Sequence, residues 1–181
     1  MVIAAERIMA LNQGNNIIEG LPSEGVELHG LGIPVRVSGA YKLIGEGKLE
    51  KGGITLPLAQ KVVAIADNDL KVEIAPGTAV LLKTIEKVNI PQKKLDLGGD
   101  LGSAFLVARV DPSPAFHNSG LVVSASLIEP GFSGNVTIWV VNVSAVSFEL
   151  WLGTQIATLV FDTVEGDIGT FVQTSKQLET G

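Results

Sequence analysis

The sequence predicts a mostly β protein, a sandwich or barrel of short strands preceded by one short helix, and three observations carry that reading. Twenty-one glycines punctuate short apolar runs. Those runs are rich in Val, Ile and Thr, whose branched side chains suit a pleated surface. Helical periodicity, finally, does not return after the first fifteen residues.

The helix is expected over residues 5–13, where apolar residues recur at helical spacing among strong helix formers and Gly14 offers a C-terminal stop. Strands are expected at Val35–Val37, Lys61–Ile65, Ala79–Lys83, Phe105–Val110, Leu121–Ser126, Val136–Asn142, Ser147–Trp151 and Gln155–Phe161. Pro76-Gly77 and Pro130-Gly131 are turn dipeptides, proline presetting φ and glycine accepting a positive φ after it. The Gly- and Lys-rich stretch Gly45–Gly53 reads as a hairpin tip or mobile loop. Val136–Val141 is apolar on both faces, so one face is expected in its own core and the other against neighbouring subunits. Residues 1–165 read as one domain, and residues 166–181 as a tail that orders against a partner.

Composition removes several function classes. Apolar residues make up 46% of the 181-residue chain and charged residues 18%, enough for a packed core and too little charge for a disordered chain. With a net charge of −6 and no basic run longer than Lys93-Lys94, a nucleic-acid partner is not expected. There is no cysteine, which excludes disulfides, thiolate nucleophiles and sulfur-ligated zinc. The two histidines, His29 and His117, are too far apart to suggest a metal pair. No apolar run reaches the roughly 20 residues of a membrane span, and no leader-like segment opens the chain, so a cytoplasmic location without a membrane partner is the expectation.

Three segments, in order, resemble the dUTPase and dCTP deaminase superfamily. Ile74–Pro91 holds a Pro-Gly turn, a strand and the close Glu86-Lys87-Val88-Asn89-Ile90-Pro91. Ile128-Glu129-Pro130-Gly131-Phe132-Ser133-Gly134 resembles the Ile-Asp-Pro-Gly-aromatic-x-Gly motif, and Gly153–Phe161 resembles the Gly-x-Arg-Ile-Ala-Gln-Leu-Val-Phe strand. Gly25-Val26-Glu27-Leu28 echoes the Gly-Val-Asp-Leu of deaminase-like members. The resemblance implies a distorted, jelly-roll-like β-barrel that forms homotrimers, with nucleotide sites near subunit boundaries.

The same alignment shows where chemistry is missing. The family's phosphate motif, Pro-Arg-Ser-Ser/Thr-Leu-x-Arg-x-Gly, falls on Pro112–Gly120, so Ser113 and Asn118 stand where arginines would grip phosphate. An alternative alignment places Gly102-Ser103-Ala104 there and still supplies no arginine; Arg109 is the nearest cation. The resemblance assigns substrate binding to Ser113, Asn118, Gly120, Ser124, Ile128 and Arg109, with Gly120–Ile128 forming the nucleoside pocket. Glu129 takes the place of the water-orienting aspartate, one methylene longer, and is the catalytic candidate. Ser133 stands where deaminases carry their acid/base glutamate, and a serine does not shuttle that proton at neutral pH.

The expectation is therefore a homotrimer with an eroded nucleotide site, non-catalytic or weakly active, whose possible small ligand is a deoxyribonucleotide. An active dUTP diphosphatase is the first alternative, with Glu129 as base, Asp111 or Glu27 holding magnesium, and Arg109 or lysines on phosphate. A structural or assembly protein reusing the trimer is the second. No cofactor is assigned apart from magnesium in the diphosphatase case, and metal ligands remain unassigned.

Overall fold

A computed structural model describes residues 1–23, 28, 30–99, 102–124 and 127–169. β1 (Val2–Ile3) leads into α1 (Ala5–Asn15), which buries Ala5 and Ile8. The helix passes through Gly14 and stops at Asn16, which sits in the left-handed region with φ 52° and ψ 47°. Asparagine tolerates that conformation because its short amide bonds locally. Here its Nδ2 donates to Glu19 Oε1 at 2.6 Å, so the stop lies two residues beyond the glycine that suggested one.

The remaining elements are β2 (Ile18–Glu19), β3 (Gly32–Ile44), β4 (Lys48–Glu50), β5 (Gly53–Thr55), β6 (Leu58–Ala64) and a 3-10 turn at Ile65–Asp67. Then come β7 (Lys71–Ile74), β8 (Ala79–Asn89), β9 (Leu95–Asp96), β10 (Ser103–Pro112), α2 (Pro114–Asn118) and β11 (Leu121–Val123). β12 (Leu127–Ile128), β13 (Ser133–Asn142), β14 (Phe148–Trp151) and β15 (Gln155–Val164) complete the described chain. The protein is mostly β, as expected, but it carries a second helix, α2, that the sequence reading did not contain. The expected strand Leu121–Ser126 stops at Val123, and Ala125 and Ser126 lie outside the described residues.

Alternation places the core. On β10, Ala104, Leu106, Ala108 and Val110 point inward, and on β13, Val136, Ile138, Val140 and Asn142 do. They meet Ile33, Val35 and Val37 of β3, Leu82 and Val88 of β8, and Leu159 and Phe161 of β15 in one hydrophobic cluster. The other face of β13, Thr137, Trp139 and Val141, is half-buried in a single copy, so full burial of both faces is not reached within one chain.

The main sheet runs β11-β13-β8-β3-β15-β10-β12, antiparallel throughout this path. Laid flat, its two ends would be about 29 Å apart at the usual interstrand spacing. Yet β11 and β12 are joined by three residues, and the chain from Val123 to Leu127 spans at most about 14 Å. The sheet must curl until β13 and β10 face each other, with the segment from β11 to β12 strapped across the gap.

One polar cluster sits inside this framework. Glu86 on β8 is fully buried, and its carboxylate accepts the Arg36 backbone N–H and the Arg36 Nε–H, each at 2.7 Å. Arg36 Nη2 donates to the Gly20 carbonyl at 2.9 Å. Beside it, buried Thr84 donates to the Glu86 carbonyl at 2.7 Å and accepts the Val136 N–H at 2.9 Å, tying β8 to β13. Among the described residues no buried side-chain nitrogen or oxygen lacks a partner.

Candidate functional site

The residues singled out from the sequence lie along the strap and at its two ends. At the first end, Ser113 precedes α2 and donates its backbone N–H to Ile156 O at 3.1 Å. Pro114 opens the helix, where its missing N–H costs nothing. Phe116 anchors α2 in the core, edge-on to Phe148 with ring centroids 6.2 Å apart. This leaves His117 and Asn118 exposed on the opposite side. Two residues past α2 comes Gly120, whose φ of +73° and close approach to Ser144, 2.7 Å from where a Cβ would stand, favour glycine. Ser144 is itself fixed by buried Asn142, whose Oδ1 accepts both the Ser144 N–H and hydroxyl.

Midway along the strap, Ser124 is exposed and donates its backbone N–H to Trp139 O at 3.0 Å. Ile128 is buried opposite Ala108, a packing position rather than an open pocket wall in the single chain. At the far end, Glu129 opens the Pro130-Gly131 turn, closed by Phe132 N–H to Glu129 O at 3.1 Å. Its carboxylate is exposed and accepts no hydrogen bond from a described residue. Ser133 opens β13 opposite Asn89 and donates to Asn89 Oδ1 at 2.6 Å. Asn89 Nδ2 in turn donates to Glu19 Oε1 and to Asn16 O, each at 3.0 Å.

These two ends do not meet inside one chain. Gly120 O accepts the Val143 N–H just past the C-terminal end of β13, whereas Ser133 is its first residue. The ten residues of extended β13 put about 30 Å between them. Arg109, the nearest cation to the phosphate loop in sequence, points away from the core on β10 and ion-pairs with Asp162 on β15. Asp162 is also 3.9 Å from the N-terminal ammonium. Asp111 is exposed, Glu27 and His29 lie outside the described residues, and no group of three His, Asp or Glu among the described residues could hold a metal ion. The alternative phosphate segment, Gly102-Ser103-Ala104, runs into β10 as regular strand from Ser103.

Electrostatic perturbation lies elsewhere. The Asp67 carboxylate, 2.8 Å away, raises the Lys61 pKa by hydrogen bonding first and charge second. The hydrogen bond from Lys71 holds Glu149 below the usual carboxylate range, helped by the Trp151 indole N–H. Burial pushes the Tyr41 phenol up, with Lys61 opposing and Asp67 adding to that shift.

Sequence reasoning missed the Glu86–Arg36 pair and the Glu19–Asn89–Ser133 chain. The first had a signal: with Val80, Leu82, Thr84 and Val88 inward on β8, period two also sends Glu86 inward, and a buried carboxylate requires a cation. The second had none, since β2 is two residues long and its pairing with Lys87 and Val88 follows from the chain's path.

A family model described as dCTP deaminase-like matches residues 2–164. The chain is 30% identical over 135 residues to the dCTP deaminase of Pyrobaculum arsenaticum, across 75% of this chain and 69% of that protein. It is 30% identical over 107 residues to the dUMP-forming dCTP deaminase of Kocuria rhizophila, across 58% of this chain and 49% of that protein. The chain spans about half the length of several such relatives. The crystal structure of 2′-deoxycytidine 5′-triphosphate deaminase from Agrobacterium tumefaciens shares the fold, with a TM-score of 0.62 over 88% of this chain and 46% of that one at 11% identity. With the family match running from β1 to the last residue of β15, the chain belongs to the dCTP deaminase-like family.

Proposed function

We propose that this chain is a self-associating member of its family, a homotrimer built from one unit over residues 1–165, whose nucleotide site is eroded to binding or assembly without efficient catalysis. The observation that carries the reading is the separation of the site's halves: the phosphate-loop residues and the Glu129–Ser133 turn lie about 30 Å apart along β13. A working site therefore needs a second copy to bring one half to the other. The half-buried outer face of β13, with Thr137, Trp139 and Val141, supports the same need.

Erosion is argued from charge. A dNTP brings roughly four negative charges, and family members meet them with bidentate arginine. Here Ser113 and Asn118 are neutral, Asp111 is exposed beside them, and Arg109 is engaged by Asp162. At the other half, Ser133 cannot act as the deaminase acid/base, although several relatives at about 30% identity are named dCTP deaminases. Phosphate-positioning and proton transfer are thus weakened together. The exposed Ser124 hydroxyl still offers a neutral donor and acceptor to a nucleoside.

A dUTP diphosphatase reading draws on one feature, the exposed, unbonded carboxylate of Glu129. Against it, misplacing that carboxylate by ~1 Å costs on the order of a hundredfold. Incubating the purified protein with dCTP or dUTP and magnesium, while following ammonia and pyrophosphate, tests the choice. Release of neither is expected. Pyrophosphate abolished by Glu129→Gln would make it a diphosphatase, and ammonia would overturn the proton-transfer argument.

A further inference from the structure

The outer part of the β3–β6 hairpin stands away from the barrel. β3 and β6 continue as a ribbon through Lys42 opposite Gln60 and Ile44 opposite Leu58, and β4 and β5 extend it with Leu49 opposite Ile54. Every residue from Lys42 to Leu56 is exposed. Since successive strand residues point to opposite sides, both faces of the ribbon are in water. A Cβ added to Gly45, Gly52 or Gly53 would meet nothing within 4 Å. The exposed residues are not polar: Leu49 is 81% accessible, Leu58 71%, Leu56 65% and Ile54 62%, with Leu43 and Ile44 above 40%.

A two-stranded ribbon with no covered face is marginal in water, and a contiguous apolar surface of this kind marks an interaction site. Two features decide what covers it. The bulge at Val62, where the ladder jumps from Tyr41 opposite Lys61 to Ala40 opposite Val63, sets the base of the ribbon off from the barrel. Beyond it the apolar side chains project from the ribbon's faces rather than along its edges. The ribbon therefore docks by its faces. Its charge is also opposite to that of the rest of the chain. Residues 42–61 hold four lysines and two glutamates, while the remainder of the chain, whose total net charge is −6, holds nine cations and seventeen carboxylates. The barrel surface of another copy thus attracts the ribbon, whereas ribbon against ribbon would set like charge against like.

We propose that residues 42–61 form an arm that docks on the barrel of a second copy of this chain through Leu49, Ile54, Leu56 and Leu58. The proposal extends the self-association argued above and names a surface distinct from the strap and from β13. Apolar burial holds the arm down, and Lys42 and Lys51 select an acidic partner surface over another arm, while Lys48 and Lys61 are engaged by Glu50 and Asp67.

The test uses full-length protein at micromolar concentration in sedimentation and light scattering, comparing the wild type with Leu49→Glu/Ile54→Glu. Both positions are exposed, so the double variant should melt with the wild type, and its association should weaken by at least about tenfold. Because the chain has no cysteine, Leu49→Cys labelled with a benzophenone maleimide provides a second measurement. Irradiation should give a two-chain band whose cross-link maps to barrel residues. An oligomeric wild type with an unaffected double variant, or a cross-link confined to the other arm, overturns the arm while leaving the shared-site reading intact. A monomeric wild type overturns both.

Discussion

Around Glu86, the carboxylate, the arginine, the threonine hydroxyl and the strand amides between β3, β8 and β13 are all mutually bonded. From Pro112 to Gly120 the backbone is equally well fixed, by Phe116 in the core and Gly120 against Ser144, but the side chains that would meet a ligand face water without charge. The difference teaches that two motifs which look alike as sequence resemblances have different physical contents. One is framework and must be satisfied for the barrel to form. The other is chemistry carried on a framework, and it can be lost while the frame persists.

The largest expected effect breaks the framework side. Glu86→Ala leaves the Arg36 amide and Nε–H without their acceptor. Because the Arg36 side chain is 29% exposed and its guanidinium still bonded to Gly20 O, the cost falls below that of a fully buried pair, about 2–4 kcal/mol. Asn118→Ala, on the exposed face of α2, should stay within about 0.5 kcal/mol. Urea melts at one fixed protein concentration check both, and similar losses for the two would erase the contrast.

Next comes the frame of the loop itself. Gly120→Ala meets both a positive φ and a Ser144 Cβ at 2.7 Å, and should cost about 1–3 kcal/mol. Gly77 has a similar φ of +71° with nothing within 4 Å, so Gly77→Ala carries the backbone penalty alone, about 1–2 kcal/mol. Measured side by side, the pair separates crowding from conformation.

The chemical side responds to added charge. The unmodified chain is expected to bind dUTP no more tightly than about 100 µM without magnesium, equivalent to about −5.5 kcal/mol. Ser113→Arg/Asn118→Arg should tighten it by at least about tenfold in calorimetry. Micromolar binding by the unmodified protein, lost in Arg109→Ala, would show instead that Arg109 leaves Asp162 to hold phosphate.

The smallest effect is a titration. Tyr41 is the single tyrosine, so phenolate absorbance reports it alone, and burial should place its midpoint above the ordinary value of about 10. A phenol whose folded pKa is raised stabilises the fold below its unfolded pKa. That contribution is lost as pH climbs from about 10 through the folded pKa. Lys61→Ala removes the cation that opposes the shift and leaves Asp67 in place, so the midpoint should move higher still.

Much of the barrel was legible because its strands are β-branched apolar runs set off by turn residues. Val136 to Asn142 and Phe105 to Val110 announce themselves by apolar, β-branched composition, and the Pro76-Gly77 and Pro130-Gly131 turns by residue chemistry. α2 was not legible: five residues, two of them Pro114 and Asn118, are too few for a 3.6-residue period to register, and its anchor is Phe148, thirty-two positions beyond Phe116. The helix end was misplaced because a glycine is a stronger local stop signal than an asparagine whose partner, Glu19, lies in the next element. Of the candidate site, the sequence proposes positions but not the distance between them. That distance is set by the length of β13 and by how β11 and β12 attach to opposite ends of the curled sheet, a property of the fold rather than of any motif.

The pairing of β3 with β15 bears on how this chain is made. Arg36 sits opposite Gln155, and Gly32 opposite Val160. At ordinary synthesis speeds of roughly 5–20 residues per second, the first half of β3 leaves the ribosome about 6–24 s before its partner strand exists. Throughout that interval Ile33 and Val35, both destined for the core, are displayed on an unpaired edge. The nascent chain is therefore a natural client for a holdase, and slowing translation between residues 36 and 155 should lower soluble yield while leaving the finished protein as stable as before.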